Sequence, residues 1–412
     1  MTSVDVVIVG AGAAGLAAAR AAHERRLSFV LVEALDRIGG RAWTDSETFD
    51  VPWDWGCHWL HSGSINPMRE LADQYDFEYL TSSPPRVTYD SNVRSSESAR
   101  ESIDASVERC YDQFLKAGLA GQDVGVADAV DETEPGFDVF LTSMGNEWSV
   151  DPMDVSALDA SRYRDTDENW PVAEGYGTLV ARHARGIPVD LGTIVTHVEW
   201  GRRLVRVVTN RGEISARTVL LTVSTAVLAE GRIAFGPILP AWKQAAFEAV
   251  PLGTANKATF EVPLGTLGFD CDTSALVPFA AGGLVFVQVH PFDFPLVSFY
   301  LSGPVAAELE ATGHAETLDV CEETLRNVFG SSISTSIGTR AASAWGNVET
   351  IGGAYASARV GLADKRRDLM TPIDNQLFFA GEATHAEFFS TCHGAHLSGV
   401  VAIEAISTAF VS

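Results

Sequence analysis

The sequence predicts a mixed α/β fold divided into more than one domain, and three observations carry that expectation. Its 412 residues, 46% of them hydrophobic, suffice for two or three separate cores. Residues 4–9, VDVVIV, form a continuous apolar run typical of a parallel strand buried on both faces, and a helical stretch follows at once. Further on, LVRVVTN, ISARTVLLTV, GGLVFVQVH and LVSFYLSG read as strands that alternate with helices near 240–250 and 304–329. Low-complexity stretches and internal repeats are absent.

The opening strand runs into GAGAAG and then LAAARAAHERR. In that order Gly10 permits a tight turn, Gly12 lets backbone approach a pyrophosphate, and Gly15 lets the helix pack on the strand while its N-terminus faces phosphate charge. A second strand, SFVLVE, ends in Glu33, 21 residues beyond Gly12 and placed to accept hydrogen bonds from ribose hydroxyls. An acid at this point disfavours a 2′-phosphate. The beginning of the chain therefore reads as a Rossmann-like dinucleotide-binding unit.

The next motif, EALDRIGGRAW, places Gly39 and Gly40 in a turn able to press against a dinucleotide, with Arg41 as a fork of donors for phosphate or ribityl oxygens and Arg37 as a second. PWDWGCHWLHSG then packs three tryptophans and two histidines into twelve residues, a density of flat and polar groups that suits the lining of a ring-shaped cofactor. Near the other end, NQLFFAGEAT is a short apolar strand ending in Gly381 and Glu382, followed by a helix from about His393. The end of the chain thus returns to the first domain.

Charge and cysteine usage exclude several classes. Acidic residues outnumber basic ones 54 to 29, which argues against a nucleic-acid partner and favours cationic small molecules. Cys57, Cys110, Cys271, Cys321 and Cys392 are scattered, odd in number and never in a CxxC pair, which fits free thiols in a reducing compartment. The N-terminal residues resemble no secretory signal and no segment reads as a membrane anchor, so the cytoplasm is the expected location. His58 with His61, and His393 with His396, have helical spacing, yet HExxH and cysteine pairs are missing, and no metal is expected. His393 and His396 read as helix-packing residues.

One stretch stands apart. GTANKATFEV, residues 253–262, reads as a strand with Lys257 in its middle. From the strand alone, an edge-strand lysine reaching solvent explains it as well as a functional role does.

Taken together, GAGAAG with Glu33, RIGGRAW, WDWGCHWLHSG, VLLTVSTAVL, GTANKATFEV and LFFAGEATHAEFFSTCHGAHLSG resemble, in order and spacing, the flavin-containing amine oxidase family, and within it the polyamine and spermine oxidases most. The resemblance is weakest over about 80–165 and 265–335. It implies an FAD-binding domain from residues 1–78, 172–240 and 340–412, and a discontinuous substrate-binding domain from 79–171 and 241–339, in the architecture shared with p-hydroxybenzoate hydroxylase. It also implies FAD contacts at Gly10, Gly12, Gly15, Glu33, Gly39, Gly40, Arg41, Gly56, Cys57, His58, Trp59, Val195, Trp345, Glu382 and Cys392. On the same grounds Lys257 holds a water beside flavin N5, Tyr355 of GGAY forms an aromatic wall, Thr391 takes the place of a second wall, and His61 contacts substrate. Where monoamine oxidases attach FAD through a cysteine this chain has Ala354, so FAD is expected to be noncovalent.

The implied reaction is oxidation of an amine C–N bond, a polyamine by preference, with hydride passing to N5. The imine then hydrolyses to an aldehyde or ketone plus amine or ammonia, and O2 becomes H2O2. An L-amino-acid oxidase, which needs an arginine facing a carboxylate, a carotenoid-type desaturase with an apolar tunnel, and a flavin-binding scaffold are the alternatives. The chain is expected to be a monomer or homodimer.

Overall fold

A computed structural model describes residues 3–269 and 272–410, so Cys271 lies outside the described residues. Two seven-stranded sheets organise the chain. In the first, the Val4–Val9 strand lies between Phe29–Val32 and Gly212–Leu221 and runs parallel to both, with Val6 opposite Phe29 and Thr218. Val6, Val7 and Ile8 are fully buried, as their unbroken apolar run requires. The short strand Leu377–Phe379 pairs parallel to 219–221, which brings the C-terminal end of the chain into the N-terminal sheet.

The turn after the first strand shows why glycine is needed twice. Gly10 has φ +103°, outside the range open to most side chains. A Cβ on Gly15 would sit 1.8 Å from the Gly10 carbonyl oxygen, so only glycine lets the Ala13–Glu24 helix start this close to the strand. The C-terminal helix, Cys392–Ala409, packs along that first helix.

The second sheet runs Arg340–Ala342, Ala255–Glu261, Leu296–Ser302, Leu284–Val289, Thr273–Pro278, Arg86–Asp90 and Val93–Arg94 in spatial order. The strand bearing Lys257 is therefore interior, paired on both sides, and the edge-strand explanation of that lysine fails. Alternation along the strand sends Ala258 and Phe260 into a core with Val287 and Phe299 and turns Lys257 to the other face. Helices Glu97–Leu119 and Phe137–Trp148 pack Phe114, Phe140 and Met144 into a further core in the region where the resemblance is weakest.

Three details depart from the sequence reading. The Ala241–Ala249 helix, assigned above to the second domain, buries Ala246 and Phe247 among Val7, Val219 and Phe379 of the first sheet. Conversely Arg340–Ala342, assigned to the first domain, pairs with the Lys257 strand. The helix expected over 304–329 is two helices, Gly303–Thr312 and His314–Phe329, separated by Gly313 at φ +105°.

Candidate active site

Residues of both sheets line a cavity of about 940 Å³. At the end of the first strand, Gly10 and Gly12 lie on its wall with Gly39 and Gly40, whose loop bridges back to Gly12. Both Glu33 carboxylate oxygens accept backbone N–H groups, from Ala11 at 2.6 Å and Leu35 at 2.9 Å, which fixes the acid on the wall and leaves lone pairs for ribose hydroxyls. Beside it Val9, Val32, Val195, Val227 and Ile233 make an apolar slot of the kind that accepts a flat base.

Arg41 reaches across to Glu382 at 3.0 Å and to the Ala354 carbonyl, tying the glycine loop to the C-terminal turn. Glu382 also accepts the Ala356 N–H. Trp345 donates its indole N–H to the Trp55 carbonyl at 3.2 Å, and a Cβ on Gly56 would strike the Arg41 carbonyl, so backbone here closes tightly beneath the lumen. Cys57, Trp59, Gly381 and Cys392 complete this stretch of wall, and the Cys392–Ala409 helix directs its N-terminus at the lumen.

Lys257 projects from the second sheet into this region. It is 5% exposed, and its Nζ donates to the Asp54 carbonyl at 2.6 Å. The rings of Trp53, Tyr300 and Trp59 surround the ammonium at 5.1, 5.5 and 5.8 Å from their centroids. Burial lowers its pKa from 10.5 to about 8, against the opposing pull of Asp54 and Cys57. Asp54 is itself fully enclosed. Burial would raise its pKa, but the hydrogen bond from His58, the Lys257 charge and the Thr44 hydroxyl overcome that and hold it below the usual carboxylate range.

Three expected substrate residues lie on the same cavity. The Tyr355 hydroxyl is anchored on the Asn146 carbonyl, which leaves its ring to face the lumen. His61 is held through Nδ1 by Asn169. Thr391 lies on the wall, but its hydroxyl donates to the Phe388 carbonyl at 2.7 Å and accepts from Gly394 N–H at 3.0 Å as a helix cap. It has no hydroxyl donor left for a substrate.

Two expected cofactor residues are not on the wall. Gly15 acts through packing, as above. Arg37 stacks on Trp43 at 4.5 Å and donates to the Gly40 carbonyl at 2.8 Å, so it braces the glycine loop from outside. His393 is buried against Asn66, and His396 faces His183 with ring centroids 5.4 Å apart. Among the described residues no three His, Cys, Asp or Glu side chains converge as metal ligands.

Sequence reasoning passed over Tyr300, Glu147 and Asp165. Tyr300 is directly opposite Lys257 in the sheet, a juxtaposition only strand register reveals. Glu147 and Asp165 line the lumen from the region of weakest resemblance. Glu147 is exposed to the lumen and accepts the Tyr111 hydroxyl. Burial, with Asp165 and Asp167 nearby, raises its pKa from 4.5 to about 8 despite that hydrogen bond. Among the described residues no lysine or arginine pairs with Glu147 or Asp165.

A glycine turn and acid built for a dinucleotide, facing a second sheet that supplies a buried lysine across a shared lumen, define a dinucleotide-dependent oxidoreductase. More particularly, residues 13–116 and 137–406 match the family described as flavin containing amine oxidoreductase, and the chain belongs to it. Polyamine oxidase 4 of Oryza sativa subsp. japonica is 28% identical over 441 residues, covering 97% of this chain and 88% of that one. Lysine-specific histone demethylase 2 of Homo sapiens is 26% identical, with 96% of this chain matched to 52% of its own length. Wild-type putrescine oxidase bound to putrescine superimposes with a TM-score of 0.81 at 22% identity over 99% of both chains, and cyclohexylamine oxidase from Brevibacterium oxydans IH-35A with 0.82 at 22% over 100% of both.

The enzyme is an FAD-dependent oxidoreductase acting on CH–NH or CH–NH2 groups. The residues fit FAD: the Gly10 turn, the fixed Glu33 acid and the apolar slot suit its adenosine half, and the aromatic walls of the inner lumen suit a flat ring system. Ala354 offers only a methyl beside Tyr355, so no thioether forms there. Acid precipitation is expected to release all the flavin to the supernatant; yellow colour retained in the pellet after washing would mean that another residue makes a covalent bond.

Proposed function

We propose that the substrate carries at least two ammonium groups, a polyamine in preference to a monoamine, and that its oxidation passes a hydride to flavin N5, with O2 then reduced to H2O2. One observation carries the substrate preference: the lumen that holds Lys257 also holds Glu147 and Asp165, which have no cationic partner among the described residues. Two carboxylates on one lumen with no cation of the protein paired to them attract a cationic ligand. The protein's net charge of −25 adds long-range attraction for polycations. The related polyamine oxidases of Oryza sativa and Arabidopsis thaliana point the same way.

Bound FAD supplies the electron acceptor, taking a hydride equivalent from the carbon next to the reacting nitrogen. The protein's part is to orient and dry the substrate. Carboxylates at one place on the lumen fix a distal ammonium, while Tyr355, Trp59 and Tyr300 exclude water around the reacting amine. Lys257, with a pKa near 8, holds or exchanges a proton beside the flavin. The imine leaves to hydrolyse to an aldehyde or ketone plus amine or ammonia.

The rival readings lack these supports. An amino-acid oxidase needs a free arginine, whereas on this lumen Arg41 is committed to Glu382 and Arg232 to Glu230. A desaturase tunnel would be apolar, whereas Asn146, Glu147, Asp165 and Asn169 line this one. The division into an FAD-binding and a substrate-binding domain is part of the same proposal, as is a reducing, cytoplasmic location, which the free Cys57, Cys110, Cys321 and Cys392 suit. Among the described residues no helix is long and apolar enough to cross a membrane.

The test is anaerobic mixing of the yellow protein with di- and polyamines, monoamines and amino acids while the visible flavin absorbance is followed. Bleaching is expected with di- or polyamines first. Faster bleaching by monoamines would overturn the substrate preference, and no bleaching by any amine would overturn the proposed reaction.

A further inference from the structure

We propose that His58 is a positioning residue for Lys257: anchored on Asp54, its imidazole takes up and returns the proton that Lys257 releases, so that the two side chains share one proton. The inference rests on the reading of Lys257 as a residue beside the flavin.

The geometry begins with Asp54. Its carboxylate accepts from the Thr44 hydroxyl, from the Tyr176 N–H at 2.9 Å and the Gly177 N–H at 3.2 Å, and lies 3.0 Å from His58 Nδ1. The Thr44, Tyr176 and Gly177 donors favour the ionised carboxylate, in keeping with its lowered pKa, and because an ionised carboxylate can only accept, Nδ1 carries the proton. Nε2 is then a lone pair. That nitrogen is buried and has no hydrogen-bond partner among the described residues, a costly arrangement for an imidazole with no task.

His58 and Lys257 also share a box. The His58 ring lies 5.6 Å from Trp53 and 4.9 Å from Trp59, the same two indoles that wall the ammonium at 5.1 and 5.8 Å. The charged and titratable groups facing this box are Asp54, Lys257, His61, Cys57 and Tyr300, whose phenol burial keeps neutral. One buried carboxylate balances one positive charge. A second would be uncompensated in a dry, aromatic enclosure. When the N–H bond at Lys257 Nζ breaks, a bridging water can deliver that proton to Nε2, and the imidazolium formed rests directly on Asp54. Charge in the box is unchanged by the transfer. The burial and the Lys257 charge that depress the His58 pKa, and the Asp54 contact that opposes them, describe the same competition for one proton.

The experiment exploits an unusual economy: the chain has only four lysines, Lys116, Lys243, Lys257 and Lys365. FAD-loaded protein labelled with 13C-lysine, without substrate, gives four Cε signals, and loss of one in Lys257→Met assigns Lys257. In the wild type its signal is expected to titrate in two steps. In His58→Gln the expected curve has one step, with its midpoint raised by about one pH unit, a tenfold gain in proton affinity. A role in packing alone would leave the curve unmoved. Single-step titration in the wild type, or the same midpoint in both proteins, overturns the proposal. Should His58→Gln fail to fold or to hold FAD, the wild-type curve still decides. Because no substrate is present, failure here is distinct from failure of amines to bleach the flavin.

Discussion

Replacing Lys257 by methionine is expected to slow one or both flavin half-reactions by about 10²-fold while FAD stays bound. Methionine keeps the length and apolar stem of the side chain but removes every donor. The stem is enclosed by Trp53, Trp59 and Tyr300, so the pocket keeps its shape, and the substitution leaves the Gly10 turn and the Glu33 hydrogen bonds untouched. Stopped-flow traces of anaerobic reduction and of reoxidation by O2 locate the defect. The pH dependence has a sign. With its pKa lowered by burial to about 8, Lys257 is protonated below that pH and neutral above it. If the neutral amine is the working form in reduction, the rate rises through about pH 8, and Lys257→Met flattens that limb. Unchanged rates in both half-reactions would remove Lys257 from the mechanism.

Much of this site was legible in the sequence because its geometry is local. The strand, the Gly10 turn, the helix and Glu33 follow within one unit, where each residue type answers a backbone need, and the structure places that acid on the Ala11 and Leu35 N–H groups. What was not legible depends on tertiary register. Lys257 reads equally as edge or interior until its strand is paired, and only pairing places Tyr300 beside it. Thr391 is on the wall, yet the helix it caps consumes its hydroxyl, a cost visible only once the helix start is known. Arg37 shares its motif with Arg41, but stacking on Trp43 turns it outward. The Ala241–Ala249 helix follows the boundary expected from the sequence yet packs on the first core, because its apolar face fits there. Glu147 carries no spacing signal at all. It follows Gly145 and Asn146 near the end of a helix, and its significance is that the fold turns it to the same lumen as Asp165, with no lysine or arginine paired to it among the described residues.

Glu147→Gln is expected to lower kcat/KM for a diamine or polyamine by about 10²-fold, or about 3 kcal/mol, the scale of losing one partner of a buried ion pair. A monoamine of similar bulk has no distal charge, and its kcat/KM is expected to change little. That contrast separates recognition of the second ammonium from general damage to the lumen. The sign of the pH effect follows from the raised pKa. In the free enzyme burial, abetted by Asp165 and Asp167, keeps Glu147 largely neutral until about pH 8, so a dication binding at lower pH must expel a proton. Its kcat/KM therefore rises through about pH 8 and falls again only where the distal ammonium itself deprotonates, near pH 10 for an alkylamine. In Glu147→Gln the rising limb contributed by this carboxyl disappears, whereas any limb due to Lys257 remains and is shared by the monoamine. Equal losses for monoamine and diamine would place Glu147 in the architecture of the lumen and return the substrate question to Asp165 and His61.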